Sequence, residues 1–134
     1  MNHENLLSWA KAYIKYKDSV HRRISEMNVD ESSKKIVIKN KNGSEDVYIC
    51  IDHLEGSSDK IKDEKVVCLN TKDNLDWLIK NWDSLKQSRN VFIFVNMATS
   101  ESWSVHPSMH DVVTEKSALK QGLLALFESV PEVK

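Results

Sequence analysis

The stretch from residue 65 to residue 97 limits the fold more than any other part of this 134-residue chain. Val66-Val67-Cys68-Leu69 and Val91-Phe92-Ile93-Phe94-Val95 are short β-branched and aromatic runs with no alternating polar face. Such runs read as strands buried on both sides, inside a sheet. Between them Leu75, Leu78, Ile79, Trp82 and Leu85 recur at helical spacing and make one apolar stripe. Thr71 or Asp73 can cap that helix, because either side-chain oxygen accepts from the unpaired first-turn N–H groups. A strand, a helix and a strand in about thirty residues form a βαβ unit, with parallel strands and a right-handed crossover.

The flanking segments add strands and helices to this unit. Leu6, Ala10, Tyr13, Val20, Ile24 and Met27 keep a helical spacing interrupted at Lys17, which predicts one long helix or two broken near Asp18-Ser19. Ile36-Val37-Ile38 and Val47-Tyr48-Ile49-Cys50-Ile51 read as strands joined by a turn at Asn42-Gly43. Residues 54–64 are loop-like. Trp103-Ser104-Val105 is a last, short strand at an edge, since Pro107 cannot donate to a ladder. Residues 108–114 read as irregular. A final helix opens at Ser117, carries Leu119, Leu123, Leu126, Phe127 and Val130, and ends at Pro131. Gly122 within it suggests close packing against a neighbour. The expected fold is α/β or α+β, a single domain over residues 1–134 with one mixed five-stranded sheet flanked by helices.

Composition narrows the function classes. Net charge is −1, and only three of the nineteen basic residues are arginine, so nothing draws the whole chain to nucleic acid or to anionic lipid. No apolar run approaches the roughly 20 residues of a membrane span. Cys50 and Cys68 lie inside apolar runs and read as buried thiols of a cytoplasmic protein, not as a disulfide framework. No cofactor is called for.

The order of a helix, three strands in meander, a crossover helix and a further strand pair resembles the restriction-endonuclease-like (PD-(D/E)XK) core, over roughly residues 6–105. That resemblance implies a divalent metal held by an acidic residue on the second strand and an acidic-x-Lys on the third, where the lysine positions the attacking water. The matching positions are Asp46 or Asp52, then Asn70-Thr71-Lys72. Asn70 stands where the carboxylate is expected, so the resemblance implies a degenerate, non-catalytic member.

Other residues were weighed beside these. His106 and His110 have the four-residue spacing of helical metal ligands, but Pro107 pushes His106 out of helical geometry, so they read as exposed loop histidines. Asp52-His53 with Glu55 reads as a solvated strand end. Lys34, Lys35, Lys39 and Lys41 with His21-Arg22-Arg23 are the one basic concentration, diluted by neighbouring acids and read as solvated surface. Trp9, Trp77 and Trp103 are the candidates for an interface, since exposed aromatics bring large contact area. The function expected is therefore a small non-catalytic interaction domain that binds a protein partner or itself as a homodimer. The alternative is a metal-dependent nuclease or a degenerate nucleic-acid-binding relative.

Overall fold

A computed structural model of the chain describes residues 5–57, 61, 64–110 and 116–133. In chain order its elements are α1 (Leu6–Asp18), β1 (Ile24–Asp30), β2 (Lys35–Asn40), β3 (Glu45–Cys50), β4 (Lys65–Leu69), α2 (Lys72–Lys80), α3 (Trp82–Leu85), β5 (Val91–Asn96), β6 (Glu101–Val105), α4 (Pro107–His110) and α5 (Lys116–Glu128). One six-stranded sheet takes the strands in chain order from β1 to β6. β1, β2 and β3 are antiparallel neighbours, β3, β4 and β5 run parallel, and β6 returns antiparallel on β5. The protein is thus α+β, with a mixed sheet flanked by helices and the expected parallel pair at β4 and β5.

Alternation along β4 and β5 assigns the two faces. Val66, Cys68, Phe92 and Phe94 join Leu75, Leu78, Trp82, Leu85, Leu119, Leu123 and Phe127 in one apolar cluster beneath α2, α3 and α5. Val67, Ile93 and Val95 join Leu6, Trp9, Ala10 and Ile14 of α1 on the other face. Burial on both faces is why these strands carry no polar alternation. Each such side chain contributes about 1.5–3 kcal/mol relative to exposure. Thr71, one of the two expected caps, fills the role for α2: its hydroxyl accepts from the Asn74 N–H at 3.2 Å. The apolar stripe then breaks at Asn81, whose side-chain amide donates to the Trp77 carbonyl at 2.8 Å, and resumes as α3.

The sheet has six strands, not five, because residues 24–30 are β1 and not a continuation of the N-terminal helix. The helical spacing of Ile24 and Met27 has a different cause. A register irregularity between Ile24 and Glu26 inserts an extra residue, so that positions three apart face the same side. Ile24, Met27 and Val29 accordingly pack against the α1-side cluster, whereas Val20 is 81% exposed in the intervening turn. The three-strand meander is therefore β1–β2–β3, and the β3-to-β4 connection is a parallel crossover.

Turn chemistry closes the hairpins. In the β2–β3 hairpin the Gly43 N–H donates to the Asn40 carbonyl at 3.0 Å, and Gly43 takes a φ of +90°, where a side chain would be strained. In the β1–β2 hairpin the Asp30 carboxylate accepts from Ser32 and Ser33, which holds its pKa below the ordinary value. Residues 107–110, expected to be irregular, form the single turn α4, and Pro107 opens it at a position that needs no N–H. Gly122 is exposed, and a methyl group added there meets nothing within 4 Å among the described residues, so close packing is not its reason. Gly122→Ala should therefore raise stability by about 0.5–1 kcal/mol, read as a higher denaturation midpoint with unchanged slope.

Candidate functional site

The sequence-derived candidates separate when placed on the fold. Asp46 lies two residues before Tyr48, which is level with Lys65, and Asn70 lies five residues after Lys65. Seven residues of extended chain, roughly 23 Å, thus separate Asp46 from Asn70 along the strands. Asp52 lies at the same end as Asn70 and Lys72: its carbonyl accepts from the Leu69 N–H at 3.4 Å and from the Asn74 side chain at 2.8 Å. The Lys72 ammonium is committed to Asp76, at 2.7 Å one helical turn on.

Asn70 is fully buried and its amide is saturated. Its Nδ2 donates toward the carbonyls of Phe127 (3.4 Å), Val130 (3.0 Å) and Pro131 (3.2 Å), and its Oδ1 accepts from Trp103 Nε1 at 2.8 Å. Phe127 lies in the last turn of α5 and Val130 and Pro131 follow it, so this one amide ties the end of the helix and the residues after it to the sheet. Asn74, Asn90 and Asn96 are buried in the same manner: Asn74 receives the Leu54 N–H and donates to Asp52 and Leu69 carbonyls, Asn90 donates to the Glu64 carbonyl, and Asn96 to that of Pro131. Each pins a loop to the sheet.

The tryptophans are structural where interface residues were expected. Trp9 is 3% exposed, stacks on Tyr13 and donates to the Ser100 hydroxyl; Trp103 is 6% exposed and stacks on Phe94 with centroids 4.4 Å apart. Both are buried by this chain's own core and present no free ring. Trp77 is half-buried against Phe92. His106 is half-buried rather than exposed, and the side chain of His110 lies outside the described residues. Among the described residues, no three His, Cys, Asp or Glu side chains are grouped to hold a metal ion. Burial raises the thiol pKa of Cys50 to about 12 and that of Cys68 well up, which removes both as nucleophiles near neutral pH. No described helix is long and apolar enough to cross a membrane.

What the fold does bring together is half of the basic concentration. A cavity of about 650 Å³ is lined by His21, Arg22, Arg23 and Lys41, with Asn40, Asn42, Ser44 and Asp46. Pairing of β1 with β2 makes this corner, because the Lys41 N–H donates to the Arg23 carbonyl at 2.8 Å. Asp18, at the end of α1, fixes the approach by accepting from the Arg23 N–H (2.7 Å) and the Ile24 N–H (3.3 Å). Arg22 sits between them at a φ of +47°, a left-handed conformation that costs a non-glycine residue about 1–2 kcal/mol. Among the described residues, no carboxylate lies within 4.0 Å of the charged nitrogens of Arg22, Arg23 and Lys41 or of the His21 ring nitrogens. Lys35 and Lys39, by contrast, are spent on Glu64 and Glu26. The sequence signal that could have found the cleft is His21-Arg22-Arg23 leading into one strand and Asn40-Lys41-Asn42 leaving its antiparallel neighbour. Comparison of the chain with protein-family models, with curated proteins and with solved structures gave no match.

Proposed function

We propose that this chain is a small non-catalytic binding domain whose ligand is a nucleic-acid strand, held through its phosphates by His21, Arg22, Arg23 and Lys41. One observation carries the reading: two of the chain's three arginines meet a lysine and a histidine on one cavity, without carboxylate partners among the described residues. A net charge of −1 does not oppose this, because Arg22, Arg23 and Lys41 outnumber Asp46 in the cleft, and a local excess of one sign sets the local field. The strained φ of Arg22 adds support, since such conformations cluster where ligands are held. The restriction-endonuclease-like resemblance remains part of the same proposal on the order of α1 and the β1–β2–β3 meander alone. β4 stands between that meander and α2, so that Asp46 falls on the third strand and Asn70 after the fourth. Binding without hydrolysis is favoured because Asp46 is remote from the Asn70–Lys72 end of the sheet, while at the end that Asp52 shares, the Asn70 amide is saturated and Lys72 is paired with Asp76.

The test is a fluorescence anisotropy titration of labelled single-stranded RNA and DNA at several salt concentrations. Affinity should fall steeply with salt, and Arg22→Gly and Arg23→Ala should each flatten the log–log slope by about one. Arg22→Gly relieves the left-handed strain, so it should melt no lower than the parent while binding less tightly. No anisotropy change at low salt, or slopes indifferent to both substitutions, would sink the reading.

A second reading, self-association, is favoured by Tyr16 and Val20, which stand 79% and 81% exposed. Light scattering across a concentration series should then give a rising mass that Val20→Asp abolishes; a constant monomer mass would remove it.

A further inference from the structure

The cleft has a neighbour. A second cavity of about 160 Å³ shares Arg23, Asn40 and Asp46 with the first; Ile14, Ile24, Ile38 and Tyr48 form its apolar wall, and Lys17 and Asp18 complete the lining. Asp46 thus stands where the basic cavity meets one with an apolar, aromatic wall. Its carboxylate retains acceptor capacity: among the described residues, Oδ1 faces the Lys65 ammonium alone, at 3.9 Å, and Oδ2 the Asn40 side-chain amide alone, at 3.1 Å. An ionised carboxyl offers about four acceptor sites, so positions remain for hydroxyl donors. A carboxylate at this point also repels phosphate, which directs the anionic end of any ligand outward to Arg22 and Lys41.

Anionic group, hydroxyl donors and a flat apolar ring, in that order, are the parts of one ribonucleotide. We infer that the cleft takes a ribonucleotide unit, its phosphate on the cations, its sugar hydroxyls on Asp46 and its base against Tyr48 and the three isoleucines. This rests on the nucleic-acid reading above and sharpens it. A ribose differs from a deoxyribose by the 2′-hydroxyl, and a carboxylate that accepts from it separates RNA from DNA. The unit comes either free or within a strand, and the chemistry is the same in both.

The experiment titrates the full chain with adenosine 5′-monophosphate, its 2′-deoxy counterpart and inorganic phosphate, and then with short RNA and DNA strands of one sequence. The ribo form is expected to bind about tenfold tighter than the deoxy form, the effect of one charge-assisted hydrogen bond. Asp46→Ala, and the shape-preserving Asp46→Asn, should bring the two forms toward equal affinity, with thermal melts to verify folding. A preference seen with the mononucleotides assigns the site to the free nucleotide; one seen with the strands alone assigns it to RNA. Equal affinity for ribo and deoxy forms, or a preference that survives Asp46→Ala, overturns the inference and leaves phosphate-directed binding standing. Silence of every probe at low salt removes both.

Discussion

Asn70→Asp is expected to lower stability by about 3–5 kcal/mol at neutral pH, the scale of an uncompensated buried charge. The substitution puts a carboxylate into a site built for an amide. Nδ2 faces three carbonyl oxygens and Oδ1 faces the Trp103 indole N–H. Exchanging the donor for a second anionic oxygen sets negative charge against those carbonyl dipoles at full burial. Burial and the carbonyls both oppose ionisation, so the introduced carboxyl's pKa rises above its unfolded value near 3.9. A raised carboxyl pKa means that the folded state binds the proton more tightly. The part of the destabilisation that comes from charge is therefore absent below about pH 4, grows as the pH climbs past the unfolded value, and levels off once the folded pKa is passed. It adds to a smaller pH-independent loss, because a neutral carboxyl has one donor hydrogen where the amide has two. Urea denaturation at acidic and neutral pH reads this directly. An equal deficit at both pH values, or one under about 1 kcal/mol, would mean that the amide does not hold α5 to the sheet.

Trp103 should divide its contribution between packing and hydrogen bonding. Trp103→Ala removes the ring stacked on Phe94 and opens a void in the larger cluster, for an expected loss of about 3–5 kcal/mol. Trp103→Phe keeps a ring over Phe94 but leaves Asn70 Oδ1 buried without its 2.8 Å donor, which costs about 1–3 kcal/mol. Because the two residues share a network, Asn70→Ala and Trp103→Phe together should cost less than the sum of their separate effects. Strict additivity in a double-mutant cycle would show that the bond carries little.

The legible parts of this fold were those where burial alone sets the pattern. The runs at 66–69 and 91–95 and the stripe from Leu75 to Leu85 each have one physical explanation, and the elements lie where that explanation puts them. Where two explanations share a spacing, the sequence misled: Ile24 and Met27 are three apart both on a helix and across a bulged strand. Trp9 and Trp103 were misjudged, because neither helical stripe nor edge position reports what covers a residue from another element, whereas Trp77 is partly exposed as expected. The four buried asparagines resemble ordinary loop polars in sequence, and only the carbonyls delivered from distant segments identify them. The cleft was hidden for a similar reason. Arg23 and Lys41 meet through a strand pairing, and of the acids that appeared to dilute the cluster Glu26 pairs with Lys39 while Asp46 lines the cleft itself.

A sheet whose spatial order repeats its chain order also has a kinetic meaning. Each strand finds its neighbour through one adjacent connection, so the sheet can assemble by successive short closures, each with a modest entropy cost. Docking of the residues after α5 is different in kind, because the Asn70 amide reaches Val130 and Pro131 across 60 and 61 residues. Such remote contacts reward the chain only after the long loop has closed. The sheet thus provides a surface on which α5 settles late, and opening of α5 from a surviving sheet is the first partial unfolding available to the molecule.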